Sequence, residues 1–384
     1  MSIFVNPLLK NASYSKFRLI TPYRNLIVTP GWVRNLYAPA AIGVDNYLQT
    51  RKRIKEQFAN FTEKFKAKMT DFSTDGKNMV FTEDLKNMVH LAEPVDLDLV
   101  LNMIKKFNSQ NIEFRFGSFV FGPVVMRMFY FLDAPNEALK CFYDPTNDGF
   151  FDQMVSYHIL MDLLYNHQMY DEIYKVFDRV QEKHLNMTKF PKYCVVLTLA
   201  ACYKQNTPKS LEYAKKLWTE MASAGTVPVR RASTYFAALA LKQGAPHIAL
   251  ESISGQKQHY VTIRNIKAIA LADLGRVEDA IVVLKSVLDI DNPDQKDKHT
   301  FFTDTLERVR IASEKCENKD LQKEFQNVEI AMKDRELIEN KTLDQLLNNE
   351  ISLTPRRDPP RGMPSTYQQK RMPFGQRPKR INLQ

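Results

Sequence analysis

The chain has 384 residues, of which 44% are hydrophobic and 26% are charged, proportions that are ordinary for a folded domain in water. It has only 12 glycines and no run of 18 or more apolar residues, which argues against a β-rich fold and against a membrane-spanning helix. The four cysteines, Cys141, Cys194, Cys202 and Cys316, form no CxxC pair, so we expect core side chains and neither a zinc site nor disulfides.

The net charge of +10 is unevenly distributed along the chain. Residues 1–70 carry 12 basic and 3 acidic residues, and residues 354–384 carry 8 basic residues and 1 acidic residue. The body between them has 34 basic and 40 acidic residues. Because the body is slightly acidic, the overall positive charge is no evidence that it binds nucleic acid, and any RNA site there must be a local basic patch.

Residues 1–44 contain no Asp or Glu and five basic residues among Ser, Asn, Tyr and scattered apolar side chains. This composition is typical of a mitochondrial transit segment, and the apolar core of a secretory signal is missing. The alternative is a basic arm that stays on the protein.

Residues 45–80 are predicted to form a basic helical arm and linker, with one helix over 45–69. Apolar side chains recur there at roughly helical spacing, and seven Lys or Arg residues occupy the other positions. Such a face is either simply solvated or a contact surface for RNA or for an acidic partner.

Residues 81–290 are predicted to form an array of helical hairpins. The hairpins cover residues 81–108, 120–143, 155–190, 193–222, 230–254 and 262–288. In five of them the second helix has a small or apolar residue at the same place: Ala138, Ile173, Ala214, Ala249 and Ala280. The spacing averages about 35 residues, which indicates an all-α fold, an α-solenoid of stacked helix-turn-helix repeats. The alternative is a single globular bundle with accidental spacing.

The C-terminal part falls into two predicted segments. Residues 291–353 are charged and helical in pattern, and we expect them to cap the array, since a terminal repeat needs a polar outer face. From residue 354 to 384 the composition changes to prolines and basic residues, which predicts a disordered tail.

Several short motifs resemble the pentatricopeptide-repeat family. The run Ser156 to Met161 is similar to the opening of its repeat, and residues 136–139 and 278–281 are similar to its second-helix signature. The stretches FGPVVMR, GFF, ILMDLLY, ACYK, RRAS, ALAL and TPRRD extend the resemblance from residue 121 to residue 358.

The resemblance implies a protein of the mitochondrial matrix that binds single-stranded mitochondrial RNA. It would act as a non-catalytic adaptor in RNA processing or maturation and so support respiratory-chain gene expression. In this family each repeat presents side chains to one base. Here the usual polar reader positions are Ile159 and Phe190, which cannot distinguish base edges by hydrogen bonds, so we predict no target sequence.

No catalytic or cofactor-binding pattern is present in the sequence. The seven histidines are scattered, and Pro123-Val124 follow Gly122 where a phosphate-binding loop needs Lys and Ser or Thr. We therefore expect no enzyme activity, no cofactor and no metal.

The candidate RNA-binding residues are basic side chains near the starts and ends of predicted helices: Arg230, Arg231, Lys189, Lys192 and Lys204. Arg230 and Arg231 begin a helix, where two guanidinium groups can bind a phosphate. The alternative for each is a solvated basic loop. The alternative for the whole protein is an interaction scaffold within a mitochondrial ribosomal or RNA-processing complex, because helical arrays bind partner helices as readily as RNA.

Overall fold

The computed structural model describes residues 35–75, 78–110, 119–257, 260–288 and 299–352. The predicted transit segment up to residue 34 and the predicted tail 354–384 lie outside the described residues. The described helices are α1 (Val44–Phe58), α2 (Thr62–Thr74), α3 (Thr82–Leu91), α4 (Leu97–Ser109), α5 (Gly122–Phe131), α6 (Pro135–Tyr143), α7 (Met154–Asn166), α8 (Tyr170–Lys183), α9 (Lys192–Gln205), α10 (Pro208–Ser223), α11 (Arg230–Lys242), α12 (Pro246–Ile253), α13 (Val261–Asp273), α14 (Val277–Lys285), α15 (Thr303–Lys315), α16 (Lys319–Asp334) and α17 (Leu343–Leu347). Two short strands, β1 (Phe301–Phe302) and β2 (Ile338–Glu339), pair in parallel.

The helices from α5 to α16 alternate between two layers. We call α5, α7, α9, α11, α13 and α15 the first helices, and the helix that follows each of them a second helix. Neighbouring first helices contact one another, and every second helix from α6 to α14 contacts the first helix before it and the first helix after it. This arrangement confirms the predicted all-α solenoid of helix-turn-helix repeats.

Close packing between the layers depends on the small or apolar residues that the sequence places in register. Each of the five is fully buried where its second helix meets the first helices: Ala138, Ile173, Ala214, Ala249 and Ala280. Small side chains at these positions let helix axes approach closely, and larger neighbours fill the space between repeats. The register predicted from the sequence is therefore the register of the core.

Turn chemistry sets where the hairpins reverse. Pro135, Pro208 and Pro246 each begin a second helix, at the position where a missing amide costs no helical hydrogen bond. The hydroxyl of Thr207 accepts a hydrogen bond from the Ser210 amide (3.1 Å) and so caps the start of α10. Gly275 has φ of 73° after α13, the left-handed conformation in which helices commonly end and which glycine adopts without strain.

The predicted single helix over 45–69 is instead two helices, α1 and α2, separated by a turn at residues 59–61. They pack on the array, because Tyr47 and Ile54 of α1 are buried against α3 and α5. Arg51 is buried as well, and it donates to the carbonyl of His90 (2.6 Å) and pairs with Glu93 (2.8 Å). Arg51 therefore stabilises the fold, whereas other basic side chains of α1 are exposed.

The C-terminal end of the array has its own apolar cluster, in which residues of α13 and α14 pack against α15 and α16. The chain then turns back. After β2 it forms α17, whose Leu343 and Leu347 belong to the main core of the array and not to the C-terminal cluster. This return is what positions the candidate site.

Candidate functional site

The central first helices are buried on all sides. In α7 every residue from Ser156 to Tyr165 is buried, and the same holds for Cys194 to Tyr203 in α9 and Ala232 to Leu241 in α11. The second helices can cover only one side of this layer. Other parts of the chain must therefore cover the opposite side, which we call the first-helix face.

A segment after β2 covers the first-helix face at α11 and α9. We call residues 340–352 the C-terminal strap. The hydroxyl of Tyr235 donates to the carbonyl of Leu347 (2.6 Å), and Arg231 donates to the same carbonyl at 3.4 Å and to that of Leu346 at 3.5 Å. These contacts hold the backbone of the strap, so they depend little on its side chains.

One acidic side chain of the strap is held by two first helices. The hydroxyl of Tyr203 in α9 donates to Asp344 (2.5 Å), and Lys242 at the end of α11 pairs with the same oxygen (3.2 Å). Burial raises the pKa of Asp344, but the hydrogen bond from Tyr203 and the charges of Lys242 and Lys204 hold it below its usual value overall. The ionised carboxylate therefore sits at a small anion site on the first-helix face.

The strap ends against a segment from the other end of the described chain. We call residues 35–43 the N-terminal strap. The amide of Ile351 donates to the carbonyl of Leu36 (2.8 Å), and the amide of Ala38 donates back to Ile351 (3.1 Å). Tyr37 packs edge-on against His158 of α7, with ring centroids 4.4 Å apart. The two straps together cover the first-helix face from α11 to α7.

A ladder of polar side chains on α7 lies beneath the straps. His158, Asp162 and Asn166 are four residues apart and so share one face of the helix. The hydroxyl of Tyr130 donates to Asp162 (3.0 Å) and accepts from Asn166 (3.0 Å). Burial raises the pKa of Asp162 to about 7, and burial lowers the pKa of His158 to about 4, because both sites disfavour charge.

The N-terminal ends of the first helices form a second, exposed surface. Gln243, just after α11, donates to the carbonyl of Asn206, just after α9 (3.0 Å), so the C-terminal ends of these helices share one edge of the layer. Their N-terminal ends share the opposite edge. We call the N-terminal ends of α7, α9, α11 and α13 the rim.

The chemistry of the rim suits an anion. None of its four helices has a side-chain cap hydrogen bond, so backbone amides at each end lack that partner. Lys192 and Arg230 are the first residues of α9 and α11, and both are exposed. The guanidinium of Arg230 lies 4.0 Å from the ring centre of Tyr260, and Tyr193 is 47% exposed. Basic and aromatic side chains thus alternate where the helix dipoles add positive potential.

The five residues predicted to bind RNA fall on two surfaces. Lys192 and Arg230 lie on the rim, and Lys189 lies nearby with an ion pair to Glu220 (3.3 Å). Arg231 and Lys204 lie toward the C-terminal strap, where Arg231 donates to the backbone and Lys204 is close enough to Asp344 for the two charges to interact. The neighbouring residues Arg230 and Arg231 therefore have different contacts, one with Tyr260 and one with the strap.

The two family reader positions are inside the core. Ile159 is 0% exposed and Phe190 is 4% exposed, so neither can touch a base. The sequence reasoning missed Tyr203, Tyr235, Lys242 and Asp344. One sequence pattern could have indicated the covered face. The segments that form α7, α9 and α11 have apolar residues on nearly every side of the helix, and a helix of that kind is buried on both sides.

The described residues lack the features of two other kinds of site. They contain no group of three or more His, Cys, Asp or Glu side chains placed to hold a metal ion. Among the helices of the same residues, none combines the length and the apolar character that crossing a bilayer requires. Cys141, Cys194 and Cys202 are buried free thiols, and Cys316 is half-buried.

Known proteins provide an independent comparison. No protein-family model matches the chain. The chain is 29% identical over 235 residues to pentatricopeptide repeat-containing protein 2, mitochondrial, of Mus musculus, which covers 60% of this chain and 61% of that protein. The protein of the same name from Danio rerio is 28% identical over 241 residues, 61% of each chain, and that from Pongo abelii is 26% identical over 282 residues, 73% of each.

The matched region spans about three fifths of the length of the first of these relatives. These similarities confirm that the chain resembles the pentatricopeptide-repeat proteins, and in particular the mitochondrial pentatricopeptide repeat-containing protein 2 of vertebrates.

Proposed function

We propose that this protein is a mitochondrial, non-catalytic adaptor that binds single-stranded RNA and acts in the processing or maturation of mitochondrial RNA. By this role it supports respiratory-chain gene expression in the matrix. The observation that carries the proposal is the rim, where Lys192 and Arg230 lie at helix ends without side-chain caps, beside the exposed ring of Tyr193 and the half-buried ring of Tyr260. The resemblance to the pentatricopeptide-repeat family supports the choice of RNA as the anion.

The rim offers the two interactions that sequence-tolerant binding of single strands requires. Lysine, arginine and free amides bind phosphates, and tyrosine rings stack on bases whatever their identity. No base-reading hydrogen bond is needed. This agrees with the burial of Ile159 and Phe190, which leaves the one-base code of the family without its usual side chains.

The domain assignment belongs to the same proposal. The transit segment is removed on import, the array carries the RNA surface, residues 291–353 cap it, and the basic tail adds unspecific attraction to phosphates. The predicted transit segment covers residues 1–44, and the burial of Leu36 and Tyr37, each only 1% exposed, favours cleavage before residue 36.

Salt titration of RNA binding tests the proposal directly. If about four to six phosphates are bound, the logarithm of the association constant should fall against the logarithm of salt concentration with a slope near −3 to −4. The double variant Lys192→Ala/Arg230→Ala should bind more weakly and show a shallower slope. Lys209→Ala is the matched control, because Lys209 is exposed near the start of α10, at the opposite edge from the rim. A flat salt response, or equal losses in both variants, contradicts the proposal.

The second candidate function is a scaffold within a mitochondrial ribosomal or RNA-processing complex. A groove of about 400 Å³ between α12, α13 and α14 favours it, since Leu250, Ile253 and Val283 line it and Val282 is 64% exposed. Apolar grooves between helices are typical docking sites for partner helices. Ultraviolet crosslinking in mitochondria distinguishes the two functions. RNA adducts on rim peptides support the adaptor, and protein adducts alone support the scaffold.

A further inference from the structure

The C-terminal strap covers a face whose side chains are also suited to binding a single nucleic-acid strand. Beneath it, Tyr203 and Tyr235 lie with ring centroids 5.8 Å apart, and Arg231 and Lys242 lie beside them. The ammonium of Lys242 is 3.9 Å from the ring centre of Tyr203. Interleaved rings and cations of this kind are the usual platform for bases and phosphates of a single strand.

The strap carries a net negative charge, as a nucleic-acid strand does. Its ionisable residues are Lys341, Asp344 and Glu350, so it is acidic where the covered face is basic. Asp344 takes the place that a phosphate would take, bound by the Tyr203 hydroxyl and the Lys242 ammonium. Backbone carbonyls of Leu346 and Leu347 occupy the donors of Arg231 and Tyr235.

The fit of the straps on α7 is incomplete. His158 Nε2 and Asn166 Oδ1 are buried side-chain atoms without a hydrogen-bond partner, and Asn348 Oδ1 of the strap is another. Buried polar atoms without partners cost free energy, and a permanent cover would be expected to satisfy them. This polar ladder gains partners when the straps leave and water or a hydrogen-bonding ligand enters.

We propose that the C-terminal strap is an intramolecular mimic of a nucleic-acid strand, and that single-stranded RNA displaces it to bind the face of α9 and α11 beneath. The inference rests on the proposed function, since it assigns a second, covered surface to the same RNA. The rim makes the first contact and remains accessible in the closed form. Lys242 and Lys204 lie at the C-terminal ends of α11 and α9, so a strand that starts on the rim must extend along the covered face to compete with Asp344 for them.

Displacement has a quantitative consequence for affinity. A ligand that binds only the open form has an apparent affinity reduced by the fraction of molecules that are open. Any change that weakens the strap without touching the covered face should therefore strengthen RNA binding. Most substitutions in a binding surface do the opposite, which makes the effect diagnostic.

Two variants of the full chain weaken the strap by different means. Leu347→Ala removes a fully buried anchor without altering charge, and it should tighten binding of a fluorescently labelled single-stranded RNA of random sequence by roughly threefold or more. Asp344→Asn removes the competing carboxylate, which is half exposed and threatens the fold little, and it should tighten binding about two- to fivefold. Glu314→Gln, an equal charge change at an exposed position of α15, is the control and should change nothing.

Hydrogen exchange measured with and without the RNA reports on the strap itself. Displacement predicts faster exchange at the amides of 343–351 when RNA is bound, while α9 and α11 stay protected. If RNA binds but the strap keeps its protection and both variants bind like the wild type, the displacement is overturned and the rim assignment stands. If neither the wild type nor the variants bind RNA, both proposals fail.

Discussion

Tyr37 and Ile351, which lie near the two ends of the described chain, pair side by side as a parallel β-bridge over the middle of the helical array. The pairing joins the N-terminal strap to the C-terminal strap at α7, where Tyr37 packs on His158. An α-solenoid is usually held together only by contacts between neighbouring repeats. Here contacts between distant parts of the sequence also hold several repeats together.

Removing the hydroxyl of Tyr235 should loosen the C-terminal strap. Tyr235→Phe deletes the donor to the Leu347 carbonyl at a fully buried site, so we expect a loss of about 1–2 kcal/mol in the free energy of unfolding. Urea unfolding measures it, and hydrogen exchange should show the loss at residues 343–351. Tyr193→Phe, at an exposed tyrosine, is the control. Equal stability of the two variants would mean that the strap is not held by this bond.

Arg230 should bind RNA partly through its planar shape. Its guanidinium lies over Tyr260, so Arg230→Ala should weaken RNA binding about three- to tenfold and reduce the steepness of the salt slope by about 0.7. Arg230→Lys keeps the charge but loses the flat stacking surface, and we expect an intermediate affinity with the full salt slope. Fluorescence anisotropy at several salt concentrations separates these effects. An unchanged affinity in Arg230→Ala removes this residue from the site.

The mature protein should begin before residue 36. Cleavage at residue 44 would remove Leu36, Tyr37 and Ile42, which are all buried, at a cost of about 1.5–3 kcal/mol for each side chain. It would also remove the carbonyl of Ile42, to which Arg127 donates (2.8 Å). Terminal sequencing of the protein purified from mitochondria gives the cleavage position directly. A mature terminus after residue 37 would show that the N-terminal strap is dispensable.

The ionisation of Asp162 should make stability fall with rising pH. Its pKa is raised to about 7 in the folded state by burial, above the usual value of 3.8, so between these values the folded state holds more protons than the unfolded state. Stability is therefore lost as pH rises toward 7. His158, whose pKa is lowered to about 4, acts in the opposite sense below pH 6.5.

The variant Asp162→Asn isolates this contribution. It keeps the size of the side chain and an acceptor for Tyr130, so at pH 8 it should be more stable than the wild type by roughly 1–3 kcal/mol, with a smaller difference at pH 5. Thermal or urea unfolding at the two pH values is the measurement. A difference that does not depend on pH would show that Asp162 is not the titrating group.

A close approach at Gly122 should make this position intolerant of any side chain. A Cβ atom there would lie 2.7 Å from the carbonyl oxygen of Phe150 and 2.8 Å from Oγ of Ser156. We expect Gly122→Ala to lower the free energy of unfolding by about 1–3 kcal/mol. Gly255→Ala meets no atom within 4 Å and is the control in the same unfolding assay. Equal stability of the two variants would contradict the close packing of α5 on residues 150–156.

Much of the fold could be predicted because short sequence patterns within each repeat determine its helices and turns. The pattern of Ala138, Ala214, Ala249 and Ala280, the cap at Thr207 and the turn at Gly275 all act within a few residues of their own position. The break between α1 and α2 was missed, since the apolar spacing continues through the turn at residues 59–61.

The candidate site was predictable only in part. Arg230 was a candidate because the sequence predicts that it begins a helix, which is a local property, and Lys192 was a candidate because it belongs to the neighbouring repeat. The partners of Arg231 and Lys204 were not, because the strap comes from more than a hundred residues further along the chain and has no periodic pattern. Only the lack of a polar side on α7, α9 and α11 indicated that another segment of the chain packs against them.

The return of the strap also sets the order in which the protein can be completed during synthesis. The early hairpins can form as they leave the ribosome, but α9 and α11 keep one side uncovered until residues 343–351 have been translated and have closed over it. Until then a nascent chain presents that side to chaperones or to import machinery. A protein truncated before residue 343 would leave one side of α9 and α11 uncovered.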